Sequence, residues 1–376
     1  MNSYFLIAGE ASGDVHAAEL IQQIQLRDPQ ARFVGLGGDR MEAAGCRLYR
    51  HIRHMAFMGI AAVIRHRKEV KENFRIAHQA LLKEQPDILI LIDYPSFNLR
   101  IASFCRKHLP ATKIVYYIPP KVWAWKRRRI HQIARLCDAV LGIFPFEPAF
   151  YAQYGYTCTY VGNPTAEEMV KVRGDRLEVR GKTIAILPGS RPSEITHCLP
   201  KMLEAAERFP EYAVTVCAAS GIADDFYTPY LSHTRATLTR DTYASLRTAS
   251  AAIVNSGTAT LEAALLGCPQ VAVYHLAWSP LIGLIRWAQP MLFSIRHFTL
   301  VNILSEREVI QECIADRFTV DSVSAEMERL LHDEAYKKEM LASYKHLYSL
   351  LGTHSASETA ADRITTLLPT QPVYTA

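Results

Sequence analysis

The sequence predicts an α/β protein of two doubly wound domains in tandem. Three observations predict it. The length, 376 residues, exceeds what one ordinary hydrophobic core serves. The apolar runs are continuous rather than alternating, as in strands covered on both faces. Longer amphipathic segments lie between them and supply the crossovers that a parallel sheet requires.

In chain order, the first set of strands is SYFLIAG, RFVGLGG, DILILID, KIVYYIPP, DAVLGIFP and CTYVGNP. The polar, charged segment 165–181 that follows is the expected linker. A second set then begins with KTIAILPGS, YAVTVCAAS, ATLTR, AAIVNSG and QVAVYHL. The expected boundaries are residues 1–164 and 165–345, with a C-terminal segment 346–376 that packs back on the first domain or on a partner subunit. Residues 323–351 read as helical, and the end, LPTQPVYTA, as frayed.

Hydrophobic content of 49% with 21% charged residues describes a globular protein. The start, MNSYFLIAGEASGD, lacks the basic residues and apolar length of a signal peptide. The eight cysteines form no CxxC pair, which suits buried thiols in a reducing cytoplasm better than a disulfide or zinc framework. Net charge is +5, and the excess of bases lies in the first half, with RHRK at 65–68 and KRRR at 126–129. A nucleic acid, an anionic membrane or phosphorylated lipid, and a plain solvated face all suit such a half.

In open α/β sheets, ligands bind beyond the carboxyl ends of the strands. The first such loop, AGEASGD, has the glycines of a phosphate cradle, but Glu10 and Asp14 would repel a phosphate. Two loops of the second half suit an anion better. LPGSR offers a tight turn at Gly189, the Ser190 hydroxyl and the Arg191 guanidinium. NSGTATLEAAL opens a helix at Ser256, Gly257, Thr258 and Ala259, whose small side chains let backbone N–H groups reach an anion. Glu262, one turn on, is placed to accept from ribose hydroxyls, or simply complements the helix dipole. Together these loops point to a nucleotide diphosphate in the second half, which leaves Glu10 and Asp14 to face neutral hydroxyls or an amide. Alternatively, Ser12 caps that helix with Asp14 in its first turn. GLGGDR lacks GxGxxG spacing and gives a dinucleotide fold little support.

Asp93 follows the apolar ILILI run directly. A carboxylate at such a strand tip is partly desolvated, which raises its pKa and improves it as a base. Ser96 and Asn98 are nearby polar candidates. Residues 275–293 are strongly apolar, yet Pro280, Gly283, Arg286 and Pro290 argue against a membrane span. An interfacial segment carrying Trp278, Leu284 and Trp287 is one reading, and a buried helix the other. MAFMGIAAVI at 55–64 is a second apolar candidate.

Assembled in order, AGEASGD, FVGLGGDRMEAAGC, FMGI, LIDYPSFN, VWAW, FPFEPAFY, LPGSRPSEI, SGTATLEAALLGCPQVAVY and LVNIL cover most of the chain. They resemble the lipid-A-disaccharide synthase family, glycosyltransferases with two Rossmann-like domains facing a cleft (the GT-B architecture). The resemblance implies transfer of 2,3-diacylglucosamine from UDP-2,3-diacylglucosamine to 2,3-diacylglucosamine 1-phosphate, with anomeric inversion. It implies Asp93 as the general base, with Asn302 in the catalytic group, to which the loop reading adds Glu10 and Asp14. Arg191, Gly189, Ser190, Ser256, Gly257, Thr258, Ala259 and Glu262 would bind substrate, as would Ser12, Gly13 and Met58. No cofactor, metal or nucleic acid is implied. The expected location is the inner face of the cytoplasmic membrane, contacted through Trp278, Leu284, Trp287, Arg127 and Arg128, and a homodimer is left open.

Three positions depart from the family's usual residues: Ser96 for Asp, Asn163 for His and Lys121 for Ser. The departures touch acceptor positioning and acyl-chain selectivity. The nearest alternatives, a UDP-N-acetylglucosamine 2-epimerase or an undecaprenyl-linked transferase, share the second-half loops but not the AGEASGD, VWAW and FPFE ensemble. A non-enzymatic membrane or nucleic-acid binder would leave those loops unexplained.

Overall fold

The computed structural model describes residues 1–55, 67–124, 126–173, 181–275, 297–352 and 354–368. The chain divides into two compact units, Met1–Pro164 with His354–Ala376, and Thr165–Thr353. Each is a Rossmann-like parallel sheet flanked by helices, the pair of domains of the GT-B architecture.

In the first unit the strands are β1 (Ser3–Ala8), β2 (Arg32–Gly37), β3 (Arg47–His51), β4 (Ile88–Ile92), β5 (Lys113–Tyr117), β6 (Ala139–Gly142) and β7 (Thr159–Tyr160). They pair in the order β3-β2-β1-β4-β5-β6-β7. All neighbours are parallel. Alternate residues of the apolar runs serve opposite faces. Leu89 and Leu91 join Phe5 and Ile7 on one side, while Ile88, Ile90 and Ile92 join Leu6 and the helical residues Leu20 and Ile24 on the other. Strand order reverses between β1 and β4, so the loops after these two strands diverge and open a crevice at their carboxyl ends.

The second unit repeats the plan with β8 (Thr183–Leu187), β9 (Ala213–Cys217), β10 (Thr237–Thr239), β11 (Ala251–Asn255), β12 (Gln270–Tyr274) and β13 (Glu312–Ile314). Their order is β10-β9-β8-β11-β12-β13, again parallel. Its reversal lies between β8 and β11, the strands that carry LPGSR and NSGTAT.

Several sequence expectations need adjustment. The segment that begins the expected linker is helical over Pro164–Arg173. It is tied to the second unit by the Tyr243 hydroxyl, which donates to Glu168 at 3.0 Å. Residues 323–351 fall into two helices, Val320–His332 and Glu334–Leu351. They are separated by Asp333, whose carboxylate caps the second by accepting from the Tyr336 N–H at 3.0 Å. That second helix runs through the boundary placed at 345/346. The chain leaves the second unit after Gly352, whose φ of 69° suits a glycine.

The closing helix, Ala356–Thr365, packs on Ala11–Arg27 through Ala360, Ala361 and Ile364. Arg27 forms ion pairs there with Asp362 and Glu358. None of the eight cysteines is in a disulfide, and seven are buried. Among the described residues, no helix is long and apolar enough to cross a membrane. Met58, Trp278, Leu284 and Trp287 lie outside the described residues.

Candidate active site

The tip of β4 has an unusual backbone. Asp93 and Tyr94, neither a glycine, both have φ of 44°, a left-handed conformation that costs on the order of 1–3 kcal/mol per residue. The surroundings hold it in place. The Asp93 carbonyl accepts from the Tyr116 hydroxyl at 2.7 Å and from Asn98 Nδ2 at 2.8 Å. The Asp93 N–H donates to the Ile118 carbonyl at 3.3 Å, and the Tyr94 hydroxyl donates to the Met55 carbonyl at 2.8 Å. The Tyr94 ring lies against Gly9, where a Cβ would come within 2.3 Å of it. The first glycine of AGEASGD therefore makes room for an aromatic ring rather than for a phosphate.

With the backbone fixed, the Asp93 side chain stands half-buried at the tip. Burial pushes its carboxyl above the usual range, while Lys121, the Tyr94 N–H and His16 pull it part of the way back. Lys121 follows β5 and is exposed. Protein atoms crowd its ammonium and lower its pKa, against the opposing pull of Asp93 and Glu147. His16 went unnoticed in the sequence. Its Nδ1 is buried without a hydrogen-bond partner and lies 3.7 Å from Glu19 Oε2.

The VWAW and FPFE motifs interlock beside this tip. Glu147 is 1% exposed, and its Oε2 accepts from the Ile143 and Phe144 N–H groups at 2.8 and 2.9 Å. Trp123 Nε1 donates to its Oε1 at 3.3 Å, and the Trp123 ring meets Phe144 and Phe146 edge-on at 5.8 and 5.1 Å. Burial outweighs these bonds and pushes the Glu147 carboxyl up to about 7. Trp123 is therefore a core residue of the loop that carries Lys121. Arg127 and Arg128, just beyond, are exposed.

The acidic loop after β1 divides its labour. Asp14 is 4% exposed. Its carboxylate accepts from the N–H groups of Gly38, Arg40 and Met41 at 2.7, 3.0 and 3.1 Å, so it ties the GLGGDR loop to the helix Ala11–Arg27. That replaces the expectation that Asp14 faces a substrate hydroxyl. Gly13 is buried, and its missing Cβ would lie 3.4 Å from Ala8 Cβ. Ser12 is exposed and makes no cap bond, since the N-cap is Glu10, half-buried next to Tyr94.

In the second unit the two phosphate-loop candidates touch. Gly189 has φ of 117°, and a Cβ there would come within 2.6 Å of both Asn255 Nδ2 and Glu194 Oε2. Glu194 accepts from the Ser190 N–H at 3.0 Å and from Arg191 at 2.9 Å. This bond steadies the guanidinium while half of its side chain stays exposed. Beyond β11, Ser256 is half-buried, and Gly257 and Thr258 are exposed. A Cβ on Gly257 would meet nothing, so the first amides of the helix Thr258–Leu265 are open to an anion. Ala259 is half-buried.

Glu262 is pushed up to about 7 by burial, and further by the charge of Glu168. His197 and His275, also passed over in the sequence, stack at 4.6 Å near this edge.

Asn302, expected in the catalytic group, is fully buried. Its Nδ2 donates to the Ile310 carbonyl at 2.8 Å and to Glu312 Oε1 at 3.0 Å. Its Oδ1 accepts from the Val309 and Ile310 N–H groups at 2.8 and 3.0 Å. An amide side chain has four such bonds to make, so none is left for a substrate. The asparagine organises the 309–312 turn.

Residues 4–364 match the family described as lipid-A-disaccharide synthetase. The chain is 35% identical over 380 residues to the lipid-A-disaccharide synthase of Geobacter sulfurreducens, covering 97% of each chain. Among solved structures it is similar to a glycotransferase of kitacinnamycin, with a TM-score of 0.64, 13% identity and coverage of 98% and 99%. It is also similar to a UDP-GlcNAc 2-epimerase from Methanocaldococcus jannaschii, with a TM-score of 0.63, 10% identity and coverage of 97% and 100%. At such identities these two likenesses speak to the fold alone.

Proposed function

The chain belongs to the lipid-A-disaccharide synthase family, hexosyltransferases of lipid A biosynthesis, and on that premise we propose how its residues carry out the reaction. The donor is UDP-2,3-diacylglucosamine and the acceptor 2,3-diacylglucosamine 1-phosphate. An electron pair of the acceptor's 6-hydroxyl forms the new bond to the donor's anomeric carbon. The bond to UDP breaks with its pair going to the diphosphate, so configuration inverts without a protein nucleophile.

Asp93 takes the hydroxyl proton, a role worth about 10²–10⁴ in rate. The observation that carries this assignment is the over-determined β4 tip. Several hydrogen bonds hold a strained backbone, and a half-buried carboxyl with a raised pKa is left to act as base. Arg191, the Ser256 hydroxyl and the amides at Gly257–Ala259 receive the charge that develops on the diphosphate, and Glu262 takes the ribose hydroxyls. Glu10 and Ser12 border the acceptor. Asp14 and Gly13 act as positioning residues, and Asn302 holds the 309–312 turn.

Both substrates carry acyl chains, so the enzyme works at a membrane surface, the cytoplasmic face of the inner membrane. There Arg127 and Arg128 meet anionic headgroups. Incubation of the purified protein with donor and acceptor tests the reading. Disaccharide 1-phosphate and UDP should appear in equal amounts, and release of UDP without disaccharide contradicts it.

A further inference from the structure

We propose that Lys121 and Arg129, with the Ser96 hydroxyl, form the subsite for the acceptor's phosphate beside the Asp93 carboxyl. The inference rests on the acceptor named above.

The two cations reach the β4 tip from different elements. Ser96 lies three residues past Asp93, in the first turn of the helix Pro95–His108. Arg129 opens the helix Arg129–Leu136 and donates to Ser96 Oγ at 3.4 Å. Lys121 comes from the loop after β5, with its ammonium 6.0 Å from the centroid of the Phe144 ring. Among the described residues, neither Lys121 nor Arg129 forms an ion pair. Glu147, whose charge acts on Lys121 along with that of Asp93, has its oxygens engaged by two N–H groups and an indole.

A cation beside a general base works against it, because it stabilises the base's ionised form and weakens its hold on a proton. The arrangement makes chemical sense if the substrate brings an anion that compensates the cation on binding. The acceptor does so. Its 6-hydroxyl and anomeric phosphate flank the same ring oxygen, so both lie on one edge of the sugar. The group that deprotonates the hydroxyl and the group that holds the phosphate must then be neighbours out of contact, as Asp93 and Lys121 are. Arg129 adds a planar guanidinium suited to phosphate oxygens. Ser96 adds a hydroxyl donor.

The test compares 2,3-diacylglucosamine 1-phosphate with the same acceptor lacking phosphate, in the wild type, Lys121→Gln, Arg129→Gln and Lys121→Arg. The wild type should prefer the phosphorylated acceptor. Each Gln variant should lower that preference about tenfold or more, chiefly through the acceptor KM, and Lys121→Arg should retain most of it. UDP affinity, measured by calorimetry, reports that each variant is folded. A preference unchanged in both Gln variants overturns the subsite, as does an equal loss with both acceptors. A wild type that makes disaccharide from neither acceptor fails the acceptor reading, and the subsite with it.

Discussion

The Tyr116 hydroxyl donates to the Asp93 carbonyl at 2.7 Å, a bond from the interior of β5 to the strained tip of β4. Tyr116 is fully buried, so core packing fixes the backbone from which the Asp93 side chain projects. The base is thus held from behind, through its own backbone.

Tyr116→Phe removes one of the two donors to that carbonyl and leaves Asn98 as the other. We expect a loss of about 1 kcal/mol in stability and a lower kcat with unchanged UDP affinity. Urea unfolding and initial rates measure the two effects. A full rate would show that the bond does not position the base.

Gly189→Ala places a Cβ against Asn255 and Glu194 at a φ that side chains avoid. The cost is on the order of 1–3 kcal/mol, and relief of the clash displaces the loop that carries Arg191. UDP affinity by calorimetry should fall. An affinity equal to wild type would separate this loop from the diphosphate.

Asn302→Ala strands the Val309 and Ile310 N–H groups, each left unsatisfied at a cost of about 1–3 kcal/mol. The melting temperature should drop markedly, while protein that stays folded in the cold keeps most of its kcat. Lost activity at unchanged stability would instead assign the asparagine a direct part in the chemistry.

The sheets were legible because burial on both faces leaves an unbroken apolar run, as in ILILI of β4. The strands that escaped were β3 and β13, at sheet edges. RLYRH has no fully buried residue, and ECI opens on a charged residue, Glu312, so neither produces such a run. Gly189 and Arg191 could be placed because a turn and its guanidinium are adjacent in sequence. The partners of Asp14 and Asn302 could not be read because a side chain's partners are not encoded at its own position. The N–H groups that bind Asp14 lie 24 to 27 residues away. The contact between Trp123 and Glu147 was hidden for the same reason.

Stability should depend on pH through Glu147. Its carboxyl rises from an ordinary value of 4.5 to about 7 in the fold. Between those values the folded state holds a proton that the unfolded chain releases. The contribution is therefore complete below 4.5 and lost as pH rises through 7. Glu262 in the second unit acts in the same direction, so the informative quantity is the difference between wild type and Glu147→Gln. Unfolding free energy across pH 5 to 7 should fall less steeply in the variant. Parallel curves would mean that Glu147 stays ionised in the fold.

The most direct measurement is the single-turnover rate of Asp93→Asn with saturating donor and acceptor, beside its UDP affinity. The amide keeps the shape of the side chain and removes the proton acceptor. The chemical step should slow by about 10²-fold or more with UDP bound as tightly as in the wild type. A step that proceeds near the wild-type rate would contradict the assignment of Asp93 as the base.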